Sequence, residues 1–202
     1  MKIVVISPEG HEPREVAALG AFLSAGLEAY HVRKPDWSED ALEEWLGDLP
    51  ADWRPRLVLH EHARLVGRFG LGALHLRDQG PRTVGASSRS CHDLATLAAR
   101  MGRYRTLFYG PVFPSLTKRG YGPQGDFPWH ELSAVLRSAP GRESTRVLAI
   151  GGVTESGLAQ CRDLGFDGAA VMGAVWNAQD PARALEDILR EAASLGAPSH
   201  VA

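Results

Sequence analysis

A chain of 202 residues, 44% hydrophobic and 23% charged, is long enough for one sizeable core and short for two, which fits a single domain over 1–202. A net charge of −2 removes the electrostatic reason to expect nucleic acid, and no apolar run approaches the roughly 20 residues of a membrane span. With two cysteines, a disulfide framework has little support, and a reducing cytoplasm is the expected setting.

The chain alternates strand and helix patterns. KIVVIS (2–7) is continuous and β-branched, the signature of a buried parallel strand, and lacks the small-residue cleavage site of a signal peptide. A helical pattern runs from about Pro13 to Ala25 and stops at Gly26, as glycine commonly stops a helix. LEAYHVR (27–33) is the second strand, and Ser38 caps the helix DALEEWL. RLVLH (56–60) and ALHL (73–76) are strands three and four, with the short helix ARLVGRF between them. TVGAS (83–87) is read as strand five and CHDLATLAARM as the next helix, so that Cys91 and Cys161 both fall in helices as buried thiols. TLFYG (106–110) is strand six, followed by a long Gly- and Pro-rich loop from Pro111 to Phe127. RVLAIGG (146–152), a helix over about 155–164, DGAAVMG (167–173) and the helix PARALEDILREAASL complete eight units of about 25 residues each, which predicts a single-domain (β/α)8 TIM barrel.

Active sites of this fold lie where strands end, and the unusual residues gather at those points. The second strand ends in His31, Arg33 and Lys34, the third in His60, Glu61 and His62, and the fourth in His75, Arg77 and Asp78. Gly151 and Gly152 end strand seven before a helix start, where bare backbone N–H groups can approach a phosphate; Met172 and Gly173 supply the matching half after strand eight. A strand-to-helix turn that needs glycine for its dihedrals is the plainer reading of the pair. The SLTKRGYG loop (115–122) can fold over a mono- or diphosphate, with Ser115 and Thr117 donating and Lys118 as a point charge. His60 and His62, two apart on a strand, face the same way and suit acid–base work. With His31 or His75 they also form a possible metal set, against which stands the reading of interior histidines bonded to their neighbours. His11, His130 and His200 read as surface residues.

The segments YHVRKP, VGASSRSCHDL, FYGPVFPSLTKRGYG, AIGGV and GFDGAAVMGAVW, in that order, resemble the thiamine-phosphate synthase and thiazole tautomerase superfamily over nearly the full length. The resemblance implies a barrel that joins a hydroxymethylpyrimidine diphosphate to a thiazole phosphate and releases pyrophosphate, with Mg2+ as cofactor. Carried over by position, it implies that Arg33, Ser87, Ser115, Thr117 and Lys118 contact the pyrophosphate or the phosphate, Arg33 and Lys118 as catalytic groups, and that Gly151, Gly152, Met172 and Gly173 cradle the thiazole phosphate. His31 and Lys34, where the family's Gln and Lys are displaced, are further candidate contacts, and His60 and His62 stay catalytic candidates on their own chemistry. Two departures stand out. The strand-three Asn-Asp pair of the synthases is His60-Glu61 here, and the acidic residue after strand four is shifted to Asp78, leaving Glu61 and Asp78 as the candidate Mg2+ ligands. The partners implied are small phosphorylated substrates, with no nucleic acid and no membrane; a homo-oligomer is left open. A thiazole tautomerase-like isomerase and a non-catalytic thiazole-phosphate-binding protein are the alternatives.

Overall fold

The computed structural model describes residues 1–81, 83–116, 120, 122–123 and 127–196. Eight parallel strands close in sequence order into a barrel: β1 (Lys2–Ile6), β2 (Ala29–Val32), β3 (Leu57–His60), β4 (Ala73–Leu76), β5 (Ala86–Cys91), β6 (Thr106–Tyr109), β7 (Arg146–Ile150) and β8 (Gly168–Val171), with β8 pairing back to β1. Around it lie the helices α1 (Glu15–Ser24), α2 (Glu39–Asp48), α3 (Ala63–Phe69), α4 (Leu94–Arg100), α5 (Trp129–Ser138), α6 (Leu158–Leu164), α7 (Gly173–Trp176) and α8 (Pro181–Ser194). This is the expected (β/α)8 barrel. No helix among the described residues is long and apolar enough to cross a membrane.

Strand alternation sorts the core into two layers. Ile3, Val5, Tyr30, Val32, Leu57, Leu59, Leu107, Val147 and Ala169 face outward and bury the helices' apolar stripes. Val4, Ile6, Phe108, Leu148 and Ala170 face inward and pack on one another inside the barrel. Burial of the outer layer is the main stabilising term, at about 1.5–3 kcal/mol for each large aliphatic or aromatic side chain. Helix starts follow local chemistry: Ser38 accepts from the Ala41 N–H, and Asp180 accepts from the N–H groups of Ala182 and Arg183 with Pro181 opening α8.

Three expectations are corrected. β5 covers 86–91 rather than 83–87, because Gly85 turns the chain at φ 85° and Val84 is left almost fully exposed. Cys91 is therefore the last residue of a strand, while Cys161 is helical as expected; both thiols are buried and free. ASSRSC has a poor strand propensity, and it is the ladders to β4 and β6 that hold it extended. Second, α5 was not anticipated, although Leu132 and Leu136 bury one of its faces. Third, the strand expected over 167–173 stops at Val171, and Gly173 already opens the single-turn α7.

Candidate active site

A cavity opens over the C-terminal ends of the strands. Its walls include Ile6 at the end of β1 and Glu9 beyond it, Arg33 after β2, His92 after β5, Gly110, Pro111 and Ser115 after β6, Ile150 at the end of β7 with Gly151 and Gly152 beyond it, and Ala170, Met172 and Gly173 at and after β8. Of the residues expected at the site, Arg33, Ser115, Gly151, Gly152, Met172 and Gly173 are thus brought together. Thr117 and Lys118 lie outside the described residues.

The fold positions each of these by a specific contact. Ser7, fully buried after β1, accepts from the Arg33 N–H at 2.8 Å and donates to its carbonyl at 3.0 Å, fixing where strand two leaves the barrel. The Arg33 guanidinium then meets Glu9 Oε1 at 2.5 Å. After β7, Gly151 and Gly152 have φ of 90° and 68°. A Cβ on Gly152 would lie 2.2 Å from the Pro114 carbonyl oxygen, and one on Gly151 would lie 2.7 Å from Pro111 Cα. The pair is needed for backbone packing, whatever ligand it meets. The gap is closed by Val112 N–H donating to Ile150 O at 2.9 Å and Phe113 N–H to Gly151 O at 3.0 Å. As the first residues of α7, Gly173 and Ala174 carry N–H groups with no intrahelical partner.

Ser88, Arg89 and Ser90 belong with Ser87 to the expected end of strand five; His92 carries no such signal, because its place depends on the register of β5. His92 Nδ1 lies 2.6 Å from the Gly110 carbonyl, which can only accept; Nδ1 therefore carries the proton, and Nε2 is the acceptor in the neutral ring. Ser87 sits early in β5 and, by alternation, on the face turned away from Ser88 and Ser90, so it does not reach the cavity.

Inside the barrel, His31, His60 and His75 come together from β2, β3 and β4. His31 Nδ1 is 3.1 Å from His60 Nε2, and the His60 and His75 rings stack at 4.2 Å. The two nitrogens of His75 each lie 2.9 Å from a serine hydroxyl, Ser88 at Nδ1 and Ser90 at Nε2. Burial lowers the pKa of His31 to about 3. Burial, followed by the charges of neighbouring histidines and of Arg33, holds His60 and His75 well below the usual imidazole range. These rings are neutral at physiological pH. That does not suit the proton shuttle expected of His60.

Several expected contacts are committed elsewhere. His62 does not share the face of His60: Glu61 and His62 adopt φ of 66° and 47°, which turns the chain out of the barrel and places His62 Nδ1 3.4 Å from Glu39 Oε2. Lys34 is buried, with Nζ 2.5 Å from Glu15 Oε2 and 2.9 Å from the Gly10 carbonyl, while Tyr30 Oη donates to Glu15 Oε1 at 2.8 Å. Burial raises the Glu15 carboxyl above its ordinary value, and the bonds from Lys34 and Tyr30 oppose that shift. Lys34 is a core ion-pair partner and not a phosphate ligand.

The carboxylates offered for Mg2+ do not fit such a site. Glu61 pairs with Arg77, and Asp78 is held by Arg100 at 2.5 Å against α4. Among the described residues neither belongs to a group of three converging ligand side chains. A Mg2+ ion asks for near-octahedral oxygen ligation, and these two oxygen donors are each neutralised by an arginine.

A closed eight-stranded parallel barrel with a glycine-edged, arginine-bearing cavity over its strand ends is a (β/α)8 barrel with its cavity at the end where this fold carries active sites. Residues 3–175 match the family model described as thiamine monophosphate synthase. A thiamine-phosphate synthase of Thiobacillus denitrificans is 30% identical over 194 residues, covering 88% of this chain and 87% of the relative. Among solved structures, thiamine phosphate pyrophosphorylase from Bacteroides thetaiotaomicron superposes with a TM-score of 0.74 at 26% identity, covering 96% of this chain and 98% of that one. The enzyme of the same name from Pyrococcus furiosus gives 0.78 at 20% identity, with 96% of each chain covered. The chain belongs to the thiamine monophosphate synthase family.

Proposed function

We propose that the protein is a transferase of thiamine biosynthesis that joins a hydroxymethylpyrimidine diphosphate to a thiazole phosphate. The observation that carries this reading is the convergence, on one cavity, of a cationic side chain (Arg33), a hydroxyl (Ser115) and two glycine-bearing turns (Gly151–Gly152 and Met172–Gly173). In the reaction the pyrimidine's C–O bond to the diphosphate breaks, the thiazole nitrogen forms the new C–N bond, and pyrophosphate leaves. Arg33 holds the diphosphate through charge-assisted hydrogen bonds, which requires that the ligand replace Glu9 on the guanidinium. The N–H groups at the start of α7 and the bare backbone of Gly151 and Gly152 receive the thiazole phosphate. His92 presents Nε2 toward the cavity as a hydrogen-bond acceptor that orients a substrate donor. The apolar wall of Ile6, Ile150 and Ala170 excludes water from the breaking bond. Lys118 and Thr117 remain part of the proposal through the resemblance of their loop.

The isomerase reading rested on histidine proton transfer, and the neutral, buried His60 and the outward His62 give it no support. The test supplies both thiamine precursors with and without Mg2+ and identifies the product by mass. Formation of thiamine phosphate is the expected outcome, and Arg33→Ala should lower its rate. Folded protein that binds both precursors and forms no product would refute the transferase.

A further inference from the structure

The interior of the barrel is divided. On β1, β6, β7 and β8 it is apolar, with Val4, Ile6, Phe108, Leu148 and Ala170. On β2 to β5 it carries His31, His60, His75, Ser88 and Ser90, with Ala29 of β2 still packed on the apolar side. Small barrels fill this layer with branched aliphatic side chains, so three imidazoles on consecutive strands need an account.

We propose that His31, His60 and His75 bind one zinc ion. Each offers a ring nitrogen, and the three nitrogens lie within 4.8 Å of one another. Tetrahedral zinc with bonds of about 2.0–2.1 Å sets its ligand nitrogens roughly 3.3 Å apart. The 3.1 Å separation of His31 Nδ1 and His60 Nε2 is already near that spacing. His75 reaches the ion with one ring nitrogen by giving up one serine hydroxyl, and the other serine keeps the second nitrogen. That is the outer-shell hydrogen bond that orients a metal-bound imidazole. His31 already stands 5.3 Å from the His60 ring and 5.5 Å from the His75 ring and packs edge-on against Phe108 at 4.9 Å. Binding requires the stacked His60 and His75 rings, 4.2 Å apart, to swing open so that both aim a nitrogen at the ion.

The donor set also selects the metal. Three imidazoles with no carboxylate in the cluster suit zinc and its neighbours rather than magnesium. Three protein ligands leave a fourth position open, as in catalytic zinc sites. Arg33, just past the end of β2 and close enough for its charge to act on His60 and His75, favours an anionic fourth ligand, an oxygen of hydroxide or phosphate, that competes with Glu9 for the guanidinium. The site does not depend on the transferase reading, since it concerns binding alone.

The test uses tag-free full-length protein stripped with a chelator, titrated with Zn2+ by calorimetry and with Co2+ by visible absorption. One equivalent per chain with an intense tetrahedral cobalt spectrum is expected. His60→Gln and His31→Gln, checked for folding by circular dichroism, should each weaken Zn2+ binding by more than the roughly 10–100-fold of a second-shell change. The exposed His130→Gln should bind as the parent does. Absence of stoichiometric Zn2+ binding by the unsubstituted protein would overturn the site, and so would undiminished binding by both folded variants.

Discussion

His31 Nδ1 and His60 Nε2, on neighbouring strands, face each other at 3.1 Å inside the barrel, where one ring must donate and the other accept. A proton added to this pair would place a charge among Phe108, the other imidazoles and the nearby arginines.

Stability should therefore fall with acid. His31 has its pKa lowered to about 3 in the folded chain, while in the unfolded chain it returns to about 6.5. Between those values the unfolded state binds more protons, so unfolding free energy rises with pH at about 1.4 kcal/mol per pH unit for each such histidine. This contribution is complete above about pH 6.5 and is lost progressively toward pH 3. Urea unfolding in chelator at pH 5, 6 and 7.5 should show the slope, and His60→Gln should reduce it.

Lys34→Met leaves the buried Glu15 carboxylate with Tyr30 but without its cation. A loss of about 3–5 kcal/mol is expected in denaturant unfolding, partly restored in the Lys34→Met/Glu15→Gln double variant. The Michaelis constants of the folded fraction should not move, whereas a phosphate-binding lysine would change them.

Glu9→Gln releases Arg33 from a half-exposed ion pair. Such pairs are worth at most about 1 kcal/mol, so inorganic pyrophosphate should bind up to about fivefold more tightly by calorimetry. Arg33→Ala should abolish that gain. If Glu9→Gln leaves affinity unchanged in low salt, Glu9 does not compete for the guanidinium.

Gly152→Ala forces a side chain into a left-handed residue and against the Pro114 carbonyl. Left-handed backbone alone costs roughly 1–2 kcal/mol, and the clash adds to it. A lower melting temperature and weaker binding of the thiazole phosphate are expected together, because the displaced loop carries Ser115.

The barrel was legible because the strand–helix alternation repeats eight times; β4 and α3 fall where their patterns place them. β5 was not legible: its serines carry no strand signature, and their extended form comes from neighbours far along the chain. The misplaced strand hid His92 and favoured Ser87 over its neighbours Ser88 and Ser90. Lys34 shows a second limit. Its position after β2 suggested a ligand, yet only the fold reveals that Glu15, at the start of α1, is its partner. His62 shows a third, since two consecutive left-handed residues cannot be read from alternation.

The split lining of the barrel continues into its mouth. Ile6, Ile150, Ala170 and Met172 form one bank, and Arg33 and His92 stand on the other. On the proposed function two flat rings meet here, the diphosphate of one directed to Arg33 and the phosphate of the other to the glycine turns beside Ile150 and Met172. Each charge would then have its own polar berth and each ring edge a hydrocarbon one, and a ring bound in reverse would give up both.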